Sequence, residues 1–406
     1  MYGGLGRHTH ALAESLAAAD HEVTVVTQHA PGAAYDEVVN GVRVVRVSAD
    51  PPLVPRADLL AWVLSLNHSL GRVAAQIATQ SGFDVVHAHD WVVAHAAAAV
   101  KSAAGLPLVA TMHATEAGRH QGWLPGALSK AIHTTEWWLT FEARRVITCS
   151  SHMRWEVTRL FDLPPPSVDV VPNGIHLDTW HVPEQQAIDA RDRWAAADAP
   201  FIAYTGRLEY EKGVHTLLRA LPRLRRRFPG LRLVVAGTGT HEAELRALAR
   251  SLRLGRAVTF TGFLDQDVLA VLAAAADVAV VPSIYEPFGM VALEAAAAGT
   301  PLVVADTGGL REFVEHGITG LRFQPGDVGA LATAVTSVLS DEVLARRLVR
   351  DARDVLTRDY AWSTVAARTA AVYARAVREE RALQASQARP LRIVVRDGNL
   401  LTGESG

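Results

Sequence analysis

The sequence predicts an α/β protein of two doubly wound domains that face each other across a cleft. Short runs rich in β-branched residues alternate with Ala- and Leu-rich segments of helical spacing along most of the chain. At 406 residues, the chain has the length of two or three ordinary domains. Alternating strands and helices form parallel sheets, and ligands bind outside the carboxyl ends of their strands. We therefore expect the chemistry in loops that line a shared cleft.

Composition excludes several classes of protein. Lys and Arg total 40 against 42 Asp and Glu, so the net charge of -2 gives no general attraction to nucleic acid or to an anionic membrane. The single cysteine, Cys149, rules out an intramolecular disulfide and a multi-cysteine metal site. The longest apolar run, Val268 to Val281, is too short for a transmembrane segment, and Asp277 interrupts it. The N-terminus lacks the features of a secretory signal, so we expect a cytoplasmic enzyme.

Five strand candidates make up the first half of the chain. They are His21 to Thr27, Asp84 to His89, Pro107 to His113, Val146 to Ser150 and Val168 to Gly174. A Gly-rich turn in such a domain should follow a strand, yet only Met1 and Tyr2 precede Gly3 and Gly4. The first strand of the first sheet is therefore predicted to be missing. Either the reading frame begins too late or another segment, such as Leu391 to Val395, takes its place.

The second half repeats the pattern after a polar connection. Its strand candidates are Pro200 to Gly206, Leu231 to Gly237, Ala257 to Phe263, Val278 to Ser283, Pro301 to Asp306 and Gly320 to Phe323. Two helical patterns follow, Val328 to Leu339 and Ser363 to Glu380. The predicted domains are residues 1–178 and 179–362, and residues 384–406 form a tail.

The segment SIYEPFGMVALEAAAAGTP follows a predicted strand and opens a helix near Phe288. The free N–H groups of such a helix start, at Gly289 and Met290, suit a phosphate. Glu286 before the helix and Glu294 inside it are good acceptors for sugar hydroxyls. The competing interpretation is that Glu286 caps the helix and Glu294 is solvated, because Glu is common in first turns.

The segment YTGRLEYEKG places two cations on a loop between a strand and a helix. Arg207 and Lys212 are five residues apart, so together they can clamp a diphosphate and neutralise a leaving group. Their position after a strand favours this role. The alternative is ordinary surface ion pairing with Glu209 and Glu211, which is worth little.

Two further motifs are weaker. The run VVAGTGTHEAEL begins like a dinucleotide fingerprint, but Glu242 stands where the third glycine belongs, so a tight turn facing the cleft is the better interpretation. Asp265 and Asp267 resemble a metal-binding D-x-D. Because they follow a strand and start an Ala-rich helix, a helix cap explains them better.

The chain holds 17 histidines. His8 with His10, and His87 with His89, suggest a metal site, but no matching set of spacings supports one. His113 differs because it ends a predicted strand at the cleft. A core or hydrogen-bonding histidine remains the alternative there.

Taken together, the motifs have a recognisable form. They are GGLGRH, HAHDW, MHATE, VPNGI, GRLEYEKG, TGFL, EPFG and GGL, and they extend over nearly the whole chain. The chain resembles the retaining nucleotide-sugar glycosyltransferases of the glycogen-synthase-like group, which have the GT-B fold. GRLEYEKGVH and HATEAGRHQGW look closest to actinobacterial α-1,4-glucosyltransferases of glycogen or methylglucose polysaccharide synthesis.

The resemblance implies a donor site that both domains share and a small set of residues at the reacting bond. Arg207 and Lys212 would hold the donor diphosphate, which Gly3 and Gly4 would approach from the other domain. Glu286 would bind the donor sugar together with the backbone of Phe288, Gly289 and Met290, Glu294 would bind the ribose, and backbone near Gly262 and Phe263 would read the base. His113 would lie by the reacting carbon and Asp90 near the acceptor. No metal or other cofactor is implied. A late helix, residues 363–383, would cross back to the first domain, which binds the acceptor while the second binds the nucleotide sugar.

The function implied is transfer of glucose from ADP-glucose or UDP-glucose to an α-1,4-glucan or related acceptor, with retention of configuration. Synthesis of maltose 1-phosphate from a sugar-phosphate acceptor, and transfer of mannose, are close alternatives. An NAD-dependent oxidoreductase would need a complete glycine fingerprint, which Glu242 interrupts. A non-catalytic sugar-binding module is favoured only by the early start of the chain.

Overall fold

Residues 4–48, 58–196 and 199–387 are described in a computed structural model, which has the predicted α/β architecture with parallel sheets. The strands are β1 (Val23–Gln28), β2 (Asp36–Val39), β3 (Val42–Val47), β4 (Val86–His89), β5 (Leu108–Met112), β6 (Arg145–Thr148), β7 (Val168–Val170), β8 (Phe201–Thr205), β9 (Arg232–Ala236), β10 (Val258–Gly262), β11 (Val278–Val281), β12 (Leu302–Ala305) and β13 (Leu321–Phe323).

The α-helices alternate with these strands. They are α1 (Gly4–Ala17), α2 (Leu59–Ser81), α3 (Ala94–Ala104), α4 (Glu116–Arg119), α5 (Gly126–Glu142), α6 (Ser151–Phe161), α7 (Leu177–Trp180), α8 (Glu184–Arg191), α9 (Val214–Arg227), α10 (Glu242–Ser251), α11 (Gln266–Ala275), α12 (Met290–Ala297), α13 (Leu310–Phe313), α14 (Val328–Ser340), α15 (Glu342–Asp359) and α16 (Trp362–Gln387). None of these helices alone is long and apolar enough to cross a membrane; α14 and α15 meet the length and composition criteria only as a pair bent by 99°.

The second half of the chain forms one six-stranded parallel sheet of order β10-β9-β8-β11-β12-β13. Strand order reverses between β8 and β11, because β9 and β10 extend from one side and β12 and β13 from the other. Such a reversal opens a crevice at the carboxyl ends of the two central strands. The loops that follow β8 and β11 carry the two richest sequence motifs, so the topology places both motifs at the same crevice.

The first half differs from one continuous doubly wound sheet. It consists of a four-stranded parallel sheet, β4-β5-β6-β7, and a separate three-stranded sheet, β1-β3-β2. Within the described ranges no strand lies beside β4 or β1 on their outer edges, and α1 begins at Gly4 without a described strand before it. The expected missing first strand stays a prediction. Gly3 and the segment Leu391 to Val395 lie outside the described residues.

Sequence analysis missed a β-hairpin and a helix. Strands β2 and β3 form an antiparallel hairpin joined by Asn40 and Gly41, whose φ values of 49° and 81° are those of a type I′ turn. The signal was present, since Asn-Gly between two β-branched runs is the strongest short hairpin signature. Helix α15 was also missed: two helices were predicted after residue 327, and the structure has three there, α14, α15 and α16.

The two halves share a buried core, and the chain crosses between them twice. A single cluster of buried side chains contains Leu108 and Met153 of the first half and Phe288 and Leu293 of the second. Helix α16 follows the last helix of the second half and packs against α1 and β5 of the first. The two crossings of the chain meet where the Ile175 amide donates to the carbonyl of Tyr360 at 2.8 Å.

Candidate active site

The loops after β8 and β11 are held against each other by backbone contacts. The Ile284 amide donates to the carbonyl of Glu211 at 2.7 Å. Gly213 has φ of 67°, and a Cβ there would lie 2.0 Å from the carbonyl oxygen of Pro282. Only glycine tolerates both that conformation and that contact. The close approach fixes the position of Lys212 relative to the second loop.

Lys212 and Glu286 form an ion pair across these loops. Lys212 Nζ lies 2.9 Å from Glu286 Oε2, and the Ser283 hydroxyl donates to the same oxygen at 3.0 Å. The two side chains are only 16% and 10% exposed. Burial strengthens the interaction of a charged pair with any neighbouring ionic group, because less water screens it. The pair therefore presents a fixed cation and a fixed anion side by side at the crevice.

Arg207 is placed differently from Lys212. Its side chain is 63% exposed, and its contact with Glu211 at 3.4 Å is of the weak surface kind. Glu209 turns away and accepts a hydrogen bond from the Thr240 amide at 3.1 Å. The alternative of simple surface ion pairs thus describes the position of Arg207 but not that of Lys212.

Helix α12 begins at Met290, two residues later than the sequence predicts. Gly289 is its N-cap residue with φ of 106°, and a Cβ there would meet the Leu310 side chain at 2.4 Å. The Phe288 ring is buried against Tyr360, with ring centroids 6.1 Å apart, so its backbone and not its ring is available to a ligand. The Gly309 amide donates to the Glu286 carbonyl at 2.9 Å and braces the turn that precedes the helix.

Glu294 is buried on α12 and faces the first half of the molecule. Arg7 Nη1 lies 3.3 Å from its Oε1. Burial raises the pKa of Glu294, and the charge of Arg7 opposes that rise. Because Gly4 and Arg7 belong to the same helix, this contact brings the N-terminus of α1 close to α12. A Cβ at Gly4 would meet nothing within 4 Å, so the helix start is open. Sequence analysis gave Arg7 no role.

Asp90 and His113 lie together at the carboxyl ends of β4 and β5. Asp90 has φ of 60°, an uncommon conformation for a non-glycine residue, and its Oδ1 accepts a hydrogen bond from the His113 amide at 2.8 Å. Burial raises the pKa of Asp90 to about 6 and lowers that of His113 to about 4. At neutral pH, His113 is therefore an uncharged imidazole with one donor and one acceptor nitrogen.

Two buried acids near this point were not predicted. Both carboxylate oxygens of Glu136 accept the Glu116 amide, at 2.9 and 3.1 Å, and Ser129 donates to Glu116 at 2.6 Å. Burial raises the pKa of Glu136 to about 8. Glu116 belongs to the MHATE motif, and Glu136 interrupts the apolar part of α5. An isolated acid in an apolar helix was the available signal for Glu136.

Contacts between the halves hold the cleft closed around these groups. The Ser150 hydroxyl donates to the Pro287 carbonyl at 2.7 Å, and the Tyr285 hydroxyl donates to Glu156 at 3.0 Å. At the start of α6, the Ser151 and His152 amides each donate to the Glu312 carboxylate at 3.0 Å. Free amides at a helix start are suited to an anion, and here the anion comes from the other half.

A cavity of about 550 Å³ opens between the halves beside these loops. Its first-half lining includes Arg119 and His120, and its second-half lining includes Arg207 and His241. The cavity is large enough for a small-molecule ligand, since such pockets commonly measure about 300 to 1,000 Å³.

The residues expected to read the nucleotide base lie at the end of β10. Gly262 has φ of 73° and its carbonyl accepts the Gly237 amide at 2.8 Å, which ties this turn to the end of β9. The ring of the next residue, Phe263, is 58% exposed. Asp265 occupies the N-cap position of α11 and Asp267 its first turn, so both acids serve as helix-start residues.

Comparison with known proteins agrees with this architecture. The family "Glycosyltransferase Family 4" matches residues 2–179, and "Glycosyl transferases group 1" matches residues 187–355. The chain is 47% identical to glycogen synthase of Mycobacterium tuberculosis over 393 residues, which cover 94% of this chain and 93% of the relative.

Solved structures show the same fold. Sucrose-phosphate synthase of Thermosynechococcus elongatus superimposes with a TM-score of 0.78 at 27% identity, covering 95% of this chain and 94% of that one. The catalytic domain of starch synthase IV from Arabidopsis thaliana, bound to ADP and acarbose, gives 0.72 at 18% identity over 93% and 97%. These matches favour a glycosyltransferase over an oxidoreductase or a purely sugar-binding module. The chain belongs to the glycogen-synthase-like glycosyltransferases with the GT-B fold.

Proposed function

We propose that this enzyme transfers glucose from ADP-glucose or UDP-glucose to an α-1,4-glucan, with retention of the α configuration. The 47% identity to a glycogen synthase supports the glucosyl donor and the glucan acceptor. The observation that carries the proposal is the buried pair of Lys212 and Glu286 at 2.9 Å, at the crevice between β8 and β11.

This pair suits the two parts of a nucleotide sugar. The carboxylate of Glu286 accepts hydrogen bonds from sugar hydroxyls, while Lys212 faces the diphosphate. Negative charge grows on the diphosphate as the bond from the anomeric carbon to the phosphate oxygen breaks. A fixed cation and the amides at the start of α12 stabilise that charge without reorganising. Arg207, exposed at the same loop, adds a second cation when the donor is bound.

Retention requires the acceptor oxygen to bond the anomeric carbon on the face that the diphosphate leaves. In this mechanism a phosphate oxygen of the departing diphosphate takes the acceptor proton, so no protein base is needed. We assign His113 to a hydroxyl of the donor sugar. Its Nε2 lies 3.2 Å from His89 Nδ1, so we assign the contact with the hydroxyl to its Nδ1. Asp90 fixes the position of His113 by accepting a hydrogen bond from the His113 amide, and we assign Asp90 to the acceptor side.

The cations that compensate the leaving group belong to the protein, so we propose that turnover needs no metal ion. Gly262 and Phe263 are assigned to the base, and Glu294 to the ribose. The cytoplasmic location expected from the sequence stays a prediction.

The test is release of nucleoside diphosphate on mixing the purified protein with ADP-glucose, UDP-glucose or GDP-mannose and with glycogen, glucose 1-phosphate or no acceptor. Release that requires glycogen supports the proposal and names the donor. Release that requires glucose 1-phosphate makes the enzyme a maltose-1-phosphate synthase instead, and faster release from GDP-mannose makes it a mannosyltransferase. A mixture with no release in any combination contradicts the proposed donor.

A further inference from the structure

Three histidines that are distant in sequence converge beside the cleft. His8 comes from α1, His89 ends β4, and His113 follows β5. One ring nitrogen of each lies within 4.8 Å of the other two. The ring of His8 meets those of His113 and His89 edge-on, with centroids 4.5 and 5.3 Å apart. A helix and two strands of one sheet therefore direct three imidazoles at one point.

The spacing is close to that of a metal site. Two imidazoles on a tetrahedral zinc ion, each about 2.0 to 2.1 Å from the metal, have their nitrogens about 3.3 Å apart. His89 Nδ1 and His113 Nε2 are already 3.2 Å apart. A ring nitrogen of His8 lies within 4.8 Å of both and supplies the third ligand of a three-histidine set. Such a set leaves one coordination position for water, the arrangement typical of an open zinc site.

Unsatisfied polar atoms at this point are a second, independent observation. His8 Nδ1 is buried and has no hydrogen-bond partner among the described residues, and the same is true of Asn173 Oδ1. An unpaired buried nitrogen is costly, and a bound ligand removes that cost. Asn173 lies next to His8, and its side chain opposes the lowering of the His8 pKa that burial causes.

A fourth histidine supports the cluster without belonging to it. His87 Nδ1 contacts the Tyr373 hydroxyl and His87 Nε2 contacts Thr111, both at 2.7 Å, so both of its nitrogens are occupied. Its ring packs on His89 at a centroid distance of 4.1 Å. Neighbours of this kind fix the orientation of a ligand ring, as the outer residues of metal sites do.

We propose that His8, His89 and His113 form an inhibitory site for a divalent transition metal that prefers imidazole, represented by Zn²⁺. The ion occupies His113, the residue assigned to the donor sugar, and so competes with the substrate. The inhibition rests on the proposed function, whereas metal binding by this cluster does not. The site is thus distinct from a catalytic metal, which the proposed function does not include.

The binding test uses the full chain freed of metal and titrated with zinc chloride in a calorimeter. We expect one ion per chain, with at least tenfold weaker binding in His8→Phe and in His8→Gln. His10→Gln is the matched control, because His10 lies on the same helix but is exposed and pairs with Glu14. Circular dichroism establishes that each variant is folded. Equal affinity in wild type and a folded His8 variant overturns the site.

Cobalt substitution gives a readout that needs no variant. Co²⁺ bound by three imidazoles and water in tetrahedral geometry has an intense visible absorption, whereas octahedral aqueous Co²⁺ is pale. Appearance of the tetrahedral band at one equivalent supports the site. A spectrum that stays that of aqueous Co²⁺, together with no stoichiometric zinc, overturns it even if the His8 variants fail to fold.

The inhibition is tested by nucleoside diphosphate release with and without zinc. We expect zinc to reduce turnover by at least tenfold in the wild type and in His10→Gln, and a chelator to restore it. The ratio of rates with and without zinc should return to near one in His8→Phe. Stoichiometric binding with unchanged turnover overturns the inhibitory role. If no variant turns over any donor, the proposed function fails, while calorimetry and cobalt absorption still decide the metal site.

Discussion

The two walls of the cleft, represented by Asp90 and His113 of the first half and by Lys212 and Glu286 of the second, differ in how their side chains are charged. On the first-half wall, burial shifts Asp90 and His113 toward their uncharged forms, raising the pKa of Asp90 to about 6 and lowering that of His113 to about 4. On the second-half wall, Lys212 and Glu286 form a hydrogen-bonded ion pair. Under the proposed function this difference is a division of labour, in which His113 of the first half offers the sugar an uncharged imidazole and Lys212 of the second half supplies fixed charge to a departing diphosphate.

The largest test of this comparison removes the fixed cation. Lys212→Ala should lower kcat about 10²- to 10³-fold, the size typical for loss of one group that stabilises transition-state charge, with a smaller change in KM. Steady-state release of nucleoside diphosphate measures both. Lys130→Ala, an exposed lysine on α5, is the control and should behave as wild type. A rise in KM with unchanged kcat would show that Lys212 only binds the donor.

The second test concerns a buried acid of the first half. The pKa of Glu136 is raised to about 8 in the folded protein, above its ordinary value, so the folded state holds this proton more tightly than the unfolded state. Stability from this group is complete at low pH and is lost as pH rises through about 8. Between pH 6.5 and 8.0 the wild type should lose about 1 to 2 kcal/mol of unfolding free energy.

Urea unfolding at the two pH values measures this loss, and Glu136→Gln should abolish it. Glu22→Gln, at an exposed position, should retain it. An identical pH dependence in Glu136→Gln and wild type would assign the effect to another group and remove Glu136 from the comparison.

A smaller effect is expected where the two walls meet. Glu312 accepts two amides at the start of α6, so Glu312→Gln should lower the unfolding free energy by about 1 kcal/mol through loss of a charge at a helix N-terminus. Urea denaturation measures the change. Glu315→Gln, exposed three residues away, is the control. Equal stability of both variants would mean that this contact closes the cleft without stabilising the fold.

The smallest effect is expected from removing metal ions, which should not lower donor turnover. If protein cations alone compensate the diphosphate, a chelator should leave donor turnover unchanged or raise it by removing inhibitory zinc. Loss of turnover that a divalent ion restores would break the division of labour, because the charge on the second wall would then come from a metal. The measurement is diphosphate release before and after addition of EDTA.

Sequence patterns predicted most of the strands because β-branched runs bounded by Gly and Pro are local signals. The crevice loops were predicted for the same reason, as both follow strands. The partner of Lys212 was not predictable, since Glu286 is 74 residues away and its neighbours Glu209 and Glu211 were the obvious candidates. The histidine cluster needs three elements to fold together before residues 8, 89 and 113 meet. The separate three-stranded sheet of the first half was not predicted, because the hairpin of β2 and β3 was missed.

The hydrogen bond between Ile175 and Tyr360 affects how the two halves can move relative to each other. The chain passes between the halves twice, and both passages meet at this bond, where a Cβ on Gly174 would lie 2.5 Å from the Trp362 ring. Rotation of one half about this point stretches neither passage. A force that opens the cleft must therefore separate the buried side chains that the two halves share and break links at the rim, such as the one from Ser150 to Pro287, while the backbone acts as the pivot.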